Sequence, residues 1–143
     1  MKNKSKFVRK IKDIIMPEYI KPVPVLVVEV GEKRFYATFE HNSSAEALIE
    51  KFDPCPITLE MHDYGHFEKV ASLPWELPRN DMHFKAVPGD IVLYGNNQIT
   101  IYYDENTWDF TRIAKIGNVT KDKLLSALGE GDVSIKLYLE WSE

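Results

Sequence analysis

Apolar residues follow two different rhythms along this chain, and the change comes near Val25. Before it, Phe7, Val8, Ile11, Ile14 and Ile15 recur at helical spacing, with Lys6, Arg9, Lys10 and Lys12 in the other positions. That spacing predicts a short amphipathic helix. Met16-Pro17 ends the pattern, because the residue before a proline is pushed out of the α region. Lys21-Pro22-Val23-Pro24 then reads as an extended linker. From Val25 the texture is that of strands. Val25 to Val30 is a strongly apolar run, and Gly31-Glu32 is a tight turn into Lys33 to Phe39, where Phe35, Ala37 and Phe39 alternate with Arg34, Tyr36 and Thr38. Ser43-Ser44-Ala45-Glu46 has the form of a capping box, with Ser43 as the cap, and predicts a helix carrying Ala47, Leu48 and Phe52 on one face and closed by Asp53-Pro54.

The strand rhythm then resumes. Ile57, Leu59 and Met61 alternate with Thr58, Glu60 and His62 up to an Asp63-Tyr64-Gly65 turn, and Phe67 to Ala71 returns from it. Leu73-Pro74-Trp75-Glu76-Leu77-Pro78 is excluded from an inner strand by its two prolines, which remove ladder donors. Pro88-Gly89 marks a turn before Ile91 to Tyr94, and Gly95-Asn96-Asn97 marks a hairpin into Ile99 to Tyr103. Phe110 to Ile116 is a further strand, and Thr120 caps a second helix that runs through Leu128 to a stop at Gly129. Val133, Ile135, Leu137, Leu139 and Trp141 give the cleanest two-residue alternation in the chain. Eight or nine short strands with two short helices predict a mainly β domain, closed or nearly closed into a barrel. The predicted organisation is a basic helical arm and linker over 1–24 and a barrel over 25–143.

Composition narrows the function more than the fold. At 143 residues, with 44% hydrophobic and 28% charged side chains, the chain is of ordinary single-domain size and composition. No apolar run approaches the ~20 residues that span a bilayer. Charged side chains also interrupt the N-terminal segment where a signal peptide would be apolar, so a cytoplasmic protein is expected. The single cysteine, Cys55, allows no internal disulfide, and no catalytic signature surrounds it between Pro54 and Pro56. The net charge of −4 is unevenly divided. Residues 1–24 hold seven Lys or Arg against two acids, so the rest of the chain is acidic and unsuited to nucleic acid. The arm alone could touch an acidic partner or a membrane surface, although an ordinary helix packed on the barrel explains the same pattern. There is no glycine-rich loop for phosphate, and no cofactor is expected.

The order of these pieces resembles the small bacterial and archaeal cyclophilin-like proteins, whose members have a compact cyclophilin β-barrel. The match is carried by Phe39 before a capped helix, Ile57-Thr58-Leu59-Glu60-Met61 before a glycine turn, and Phe67-Glu68. It continues through Leu73-Pro74, Pro88-Gly89-Asp90-Ile91, Arg112-Ile113-Ala114-Lys115-Ile116-Gly117 and Gly131-Asp132-Val133-Ser134-Ile135. It covers about residues 25–141. The resemblance implies the barrel but no assigned activity. Cyclophilins proper are prolyl isomerases that use an arginine in a Phe-His-Arg segment to stabilise the twisted amide electrostatically. This chain has no such triplet, and its one glutamine, Gln98, lies in a hairpin. An isomerase is therefore not the first expectation.

Four residues are candidates for a ligand site at the barrel mouth: Glu68, Trp75, Tyr64 and His62. Glu68, on a strand and flanked by Phe67 and Val70, either faces water or turns inward, where burial would raise its pKa. Trp75 sits on a rigid loop and either lines a groove or plugs the barrel end. His62 and His66, with Asp63 or Glu68, could approach across a hairpin, but their spacing matches no established metal site, so no metal is expected. Tyr102, Tyr103, Trp108 and Phe110 surround the acidic Asp104-Glu105-Asn106 loop, the wrong sign for a nucleic-acid platform, and are read as strand and core. The expected function is a binding module for a small molecule or short peptide. The alternatives are a divergent prolyl isomerase or an acid–base enzyme built on Glu68 and His62, and an interaction subunit docked through the arm.

Overall fold

A computed structural model describes residues 22–52 and 55–142. The predicted helix through Phe7 and Ile15 and the Asp53-Pro54 stop lie outside the described residues. Among the described residues the chain forms nine strands and two helices in the order β1 (Val23–Val30), β2 (Lys33–Phe39), α1 (Ser43–Phe52), β3 (Ile57–Tyr64), β4 (Glu68–Ser72), β5 (Met82–Ala86), β6 (Asp90–Tyr94), β7 (Gln98–Tyr102), β8 (Asn106–Ile116), α2 (Lys121–Leu128) and β9 (Val133–Ser142). Every pairing is antiparallel. The order across the sheet is β2-β1-β9-β3-β4-β7-β6-β8-β5, and β2 also pairs with β8, so the sheet returns on itself as a ring with β5 appended outside it. No helix among the described residues is long and apolar enough to cross a membrane.

The two-residue alternation fixes which side chains fill the ring. Leu26, Val28, Leu59, Met61, Ile99, Ile101, Ile113, Ile135 and Leu137 point inward and form one continuous buried cluster, because alternate residues of a strand share a face. Helix α1 adds Ala45, Leu48 and Phe52 to this core, and α2 adds Leu124 and Leu128. The cap of α1 is Asn42 rather than the expected Ser43. Asn42 Oδ1 accepts from the Ala45 amide at 2.8 Å, and its own Nδ2 donates to the Arg112 carbonyl at 2.8 Å, so one side chain starts the helix and ties it to β8. Ser43 and Ser44 instead accept from Asn80 Nδ2 at 2.8 and 2.9 Å. Thr120 caps α2, accepting from the Lys123 amide, and Gly129 ends it.

Three further differences from the sequence reading bear on the site. β1 begins at Val23, so Val23 and Pro24 belong to a strand that pairs with β9 rather than to a linker. β5, which the polar mixture Met82-His83-Phe84-Lys85-Ala86 concealed, pairs with the first half of β8, from Met82 opposite Phe110 to Ala86 opposite Asn106. β8 is long enough to do two things. Its second half runs in the ring against β6 and β2, while its first half leaves the ring to form a two-stranded flap with β5. A register shift between Ile91 and Val92 on β6 lies inside this ladder, which continues through Leu93 opposite Thr111 before β8 turns to β5.

One end of the ring is closed by the Leu73–Pro78 loop. The Leu73 and Leu77 amides donate to the Asn97 and Asn96 carbonyls at 2.6 and 2.7 Å, and both leucines are buried in the core cluster. Farther round the ring, Lys69 is fully buried. Its ammonium donates to Asp63 Oδ1 at 3.1 Å and to the Gly131 carbonyl at 2.6 Å, and the Tyr103 hydroxyl donates to the same Asp63 oxygen at 2.5 Å. Burial acts to raise the Asp63 pKa, but the Tyr103 and Lys69 hydrogen bonds and the Lys69 charge outweigh it and hold the carboxyl below its usual range. The cluster thus joins β3, β4, the residue after β7 and the approach to β9 through a satisfied charge pair whose lysine is fully buried.

Candidate functional site

The alternation that sends Lys69 inward sends its neighbour Glu68 outward, yet Glu68 is only 9% exposed. It is covered because it lies in a groove on the outer face of the sheet. On β4 and β7 the pairs Glu68 with Tyr102, Val70 with Thr100 and Ser72 with Gln98 stand side by side, and most of these residues make the floor. The β3–β4 turn raises Tyr64 and Phe67 along one side. The flap raises Asn106, Trp108 and Phe110 along the other, with Tyr94 at the end of β6. The enclosed volume is about 420 Å³, within the range of small-molecule sites.

Aromatic rings hold the walls together. Tyr64 meets Phe67 edge-on with centroids 5.9 Å apart, and Phe67 stacks on Tyr102 at 5.9 Å. Tyr102 touches Phe110 at 5.6 Å, and Phe110 meets Phe84 at 4.7 Å. Behind them Ala86, Val92, Tyr102 and Phe110 form a second apolar cluster, separate from the core inside the ring. Gly65 makes the turn possible. Its φ is +65°, and a Cβ at this position would run into the Phe67 ring. At the rim Tyr64, Tyr94 and Trp108 are exposed.

The polar groups on the floor are few. Burial pushes the Glu68 pKa up, the hydroxyls of Tyr102 and Thr100 oppose the rise, and the nearby Asp63 charge adds to it. Burial likewise pushes the Tyr102 phenol well above its usual range; Asn106 Nδ2, which donates to it at 3.2 Å, works against the rise, and the Glu68 charge reinforces it. Tyr102 therefore stays protonated and can donate. Thr100 is 1% exposed and near enough to Glu68 to oppose that rise, but among the described residues its Oγ1 meets no partner in full hydrogen-bond geometry. A ligand able to bond it would complete that geometry. None of the lining side chains is an arginine, lysine or histidine.

The structure brings two of the four sequence candidates together in this groove, Glu68 and Tyr64. His62 lies on β3 with an exposed ring whose Nδ1 stands 3.1 Å from Asp132 Oδ1. Trp75 is half-buried against the core cluster, edge-on to Phe52 at 5.9 Å, and helps to close the end of the ring. Neither is part of the groove lining. His66 approaches Asp63 Oδ2 at 3.6 Å rather than His62, and no cluster of three or more possible metal ligands exists among the described residues. Glu68 and His62 therefore do not share a cavity that would suit an acid–base pair.

Sequence reasoning missed Thr100, Tyr102, Asn106, Trp108 and Phe110 as lining. Tyr102, Trp108 and Phe110 had been assigned to strand and core, and Trp108 is in fact 55% exposed. The available signal was the alternation Met82, Phe84, Ala86, which would have revealed the strand that lifts β8 away from the ring. No curated protein and no solved structure matches the chain. The groove and nearly all of the ring-like sheet lie within residues 28–138, the stretch matched by the model of the cyclophilin-like family, and the chain belongs to that family.

Proposed function

We propose that this chain is a binding module that holds a small molecule, or one side chain of a short peptide, in the groove on the outer wall of a cyclophilin-like barrel. One observation carries the reading: a buried carboxylate and an unpartnered buried hydroxyl share the floor of an aromatic-walled groove of about 420 Å³. Polar groups placed so at the bottom of an apolar cleft give orientation, while the rings give contact area. Prolyl isomerisation is the weaker reading, since among the described residues no cationic side chain lines the groove to stabilise a twisted amide.

A thermal-shift screen of the full chain against amines, carboxylic acids, sugars and short Xaa-Pro peptides tests the proposal. A ligand at a hundred times its Kd adds about 2.7 kcal/mol of stability, a readily measured rise in Tm. The Trp108→Ala variant should lose that response. Trp75→Ala should lower the starting Tm and keep the response. The reading fails if no class of compound stabilises the protein, or if Trp108→Ala responds as the parent does.

A further inference from the structure

The groove has a sign as well as a shape. Among the described residues its one carboxylate, Glu68, meets no positive side chain there. Of the elements around it, β3 presents Asp63, whose charge opposes the ionised form of Glu68. β4 presents Lys69 to the other face of the sheet, where its ammonium is held by Asp63 and Gly131. β7 presents the neutral Gln98, Thr100 and Tyr102, and β8 the neutral Asn106. Among the described residues the charge balance of the cleft is therefore incomplete. Alongside the carboxylate, Thr100 Oγ1 is free to accept, and the rings of Tyr64, Tyr94 and Trp108 are exposed at the rim.

We infer that the ligand of this groove is an organic ammonium with an apolar body, its N–H groups donated to Glu68 and Thr100 and its body laid between Phe67 and Trp108. This inference rests on the reading of the groove as a binding site and names what that site selects. A carboxylate ligand would face Glu68 with like charge. A neutral ligand would leave the buried acid without a counter-charge. An ammonium supplies both a charge-assisted hydrogen bond and a donor for the unpartnered hydroxyl. Because the cation favours ionised Glu68, binding should also weaken as pH falls through the raised value of that group. Tyr102, held protonated, contributes no competing titration.

The test is a titration of the full chain by calorimetry, and by amide chemical shifts, with three compounds of one shape: benzylammonium, benzyl alcohol and benzoate. Benzylammonium should bind roughly tenfold or more tighter than benzyl alcohol, as expected for a hydrogen bond to a charged group, and benzoate should be the weakest. Glu68→Gln should remove the preference for the cation over benzyl alcohol. Thr100→Val should reduce the preference in part, and both variants should keep a cooperative melting transition. Equal binding of all three compounds, or a preference that survives Glu68→Gln, overturns the inference and leaves the groove itself a binding site. Failure of all three to move the groove resonances also overturns it, and the broader screen then decides the binding reading separately.

Discussion

Glu68 and Lys69 are consecutive residues of opposite charge, each buried, on opposite faces of one strand. Lys69 is answered by Asp63 and Gly131, whereas Glu68 is answered only by hydroxyls. The difference has a consequence for stability. Burial raises the Glu68 pKa in the folded chain, so its contribution is most favourable below the ordinary glutamate pKa. That contribution is lost as pH rises through the raised value. Glu68→Gln removes the titration, and the variant should gain Tm relative to the parent as pH is raised from about 4 to about 7. Melting curves across that range check this, and a Tm difference independent of pH would contradict it. Asp63 acts in the other direction. Its pKa is held low by Tyr103 and Lys69, so its stabilising effect is present at neutral pH and lost in acid. Glu68 was legible in the sequence because a carboxylate at the start of an apolar strand is uncommon enough to question. Thr100 was not, since a threonine in a β run is ordinary and its missing partner is visible only in three dimensions.

At the scale of elements, the alternation named most strands correctly and left out β5, which lines no part of the groove but pairs with the half of β8 that does. The reason is physical. β5 pairs on one side only, with the half of β8 that leaves the ring, and so has no deep core to demand a run of aliphatic residues. For the same reason Trp108 looked like core: the sequence shows an aromatic in a strand, but not that the strand has departed from the ring. The Leu73–Pro78 loop was legible as rigid from its prolines, but which way Trp75 would face depended on Phe52 from a different element. The turn before β6 is closed against backbone. Gly89 has a φ of +98°, and a Cβ there would stand 2.6 Å from the Ile116 carbonyl oxygen, while the Gly89 carbonyl accepts from the Ile116 amide at 2.9 Å. Gly89→Ala should therefore destabilise the chain by roughly 1–3 kcal/mol, measured by urea unfolding. A change within about 0.5 kcal/mol would mean that the turn relaxes easily.

Considered as a whole, the molecule is a ring whose two seams join parts far apart in sequence. β2 meets β8 through Ala37 and Ile116, and β1 meets β9 from Val23 opposite Ser142. Such non-local pairings make loop closure costly before contacts repay it. Refolding by stopped-flow fluorescence should accordingly take milliseconds to seconds; a microsecond phase carrying the whole amplitude would contradict that. The position of β9 adds something about order. It stands between β1 and β3, while the groove is made from β3, β4, β6, β7 and β8. During synthesis from the N-terminus, all the strands of the groove leave the ribosome before the strand that closes the ring. The growing chain can thus present a nearly complete groove on an open, curved sheet, and β9 then enters as its keystone.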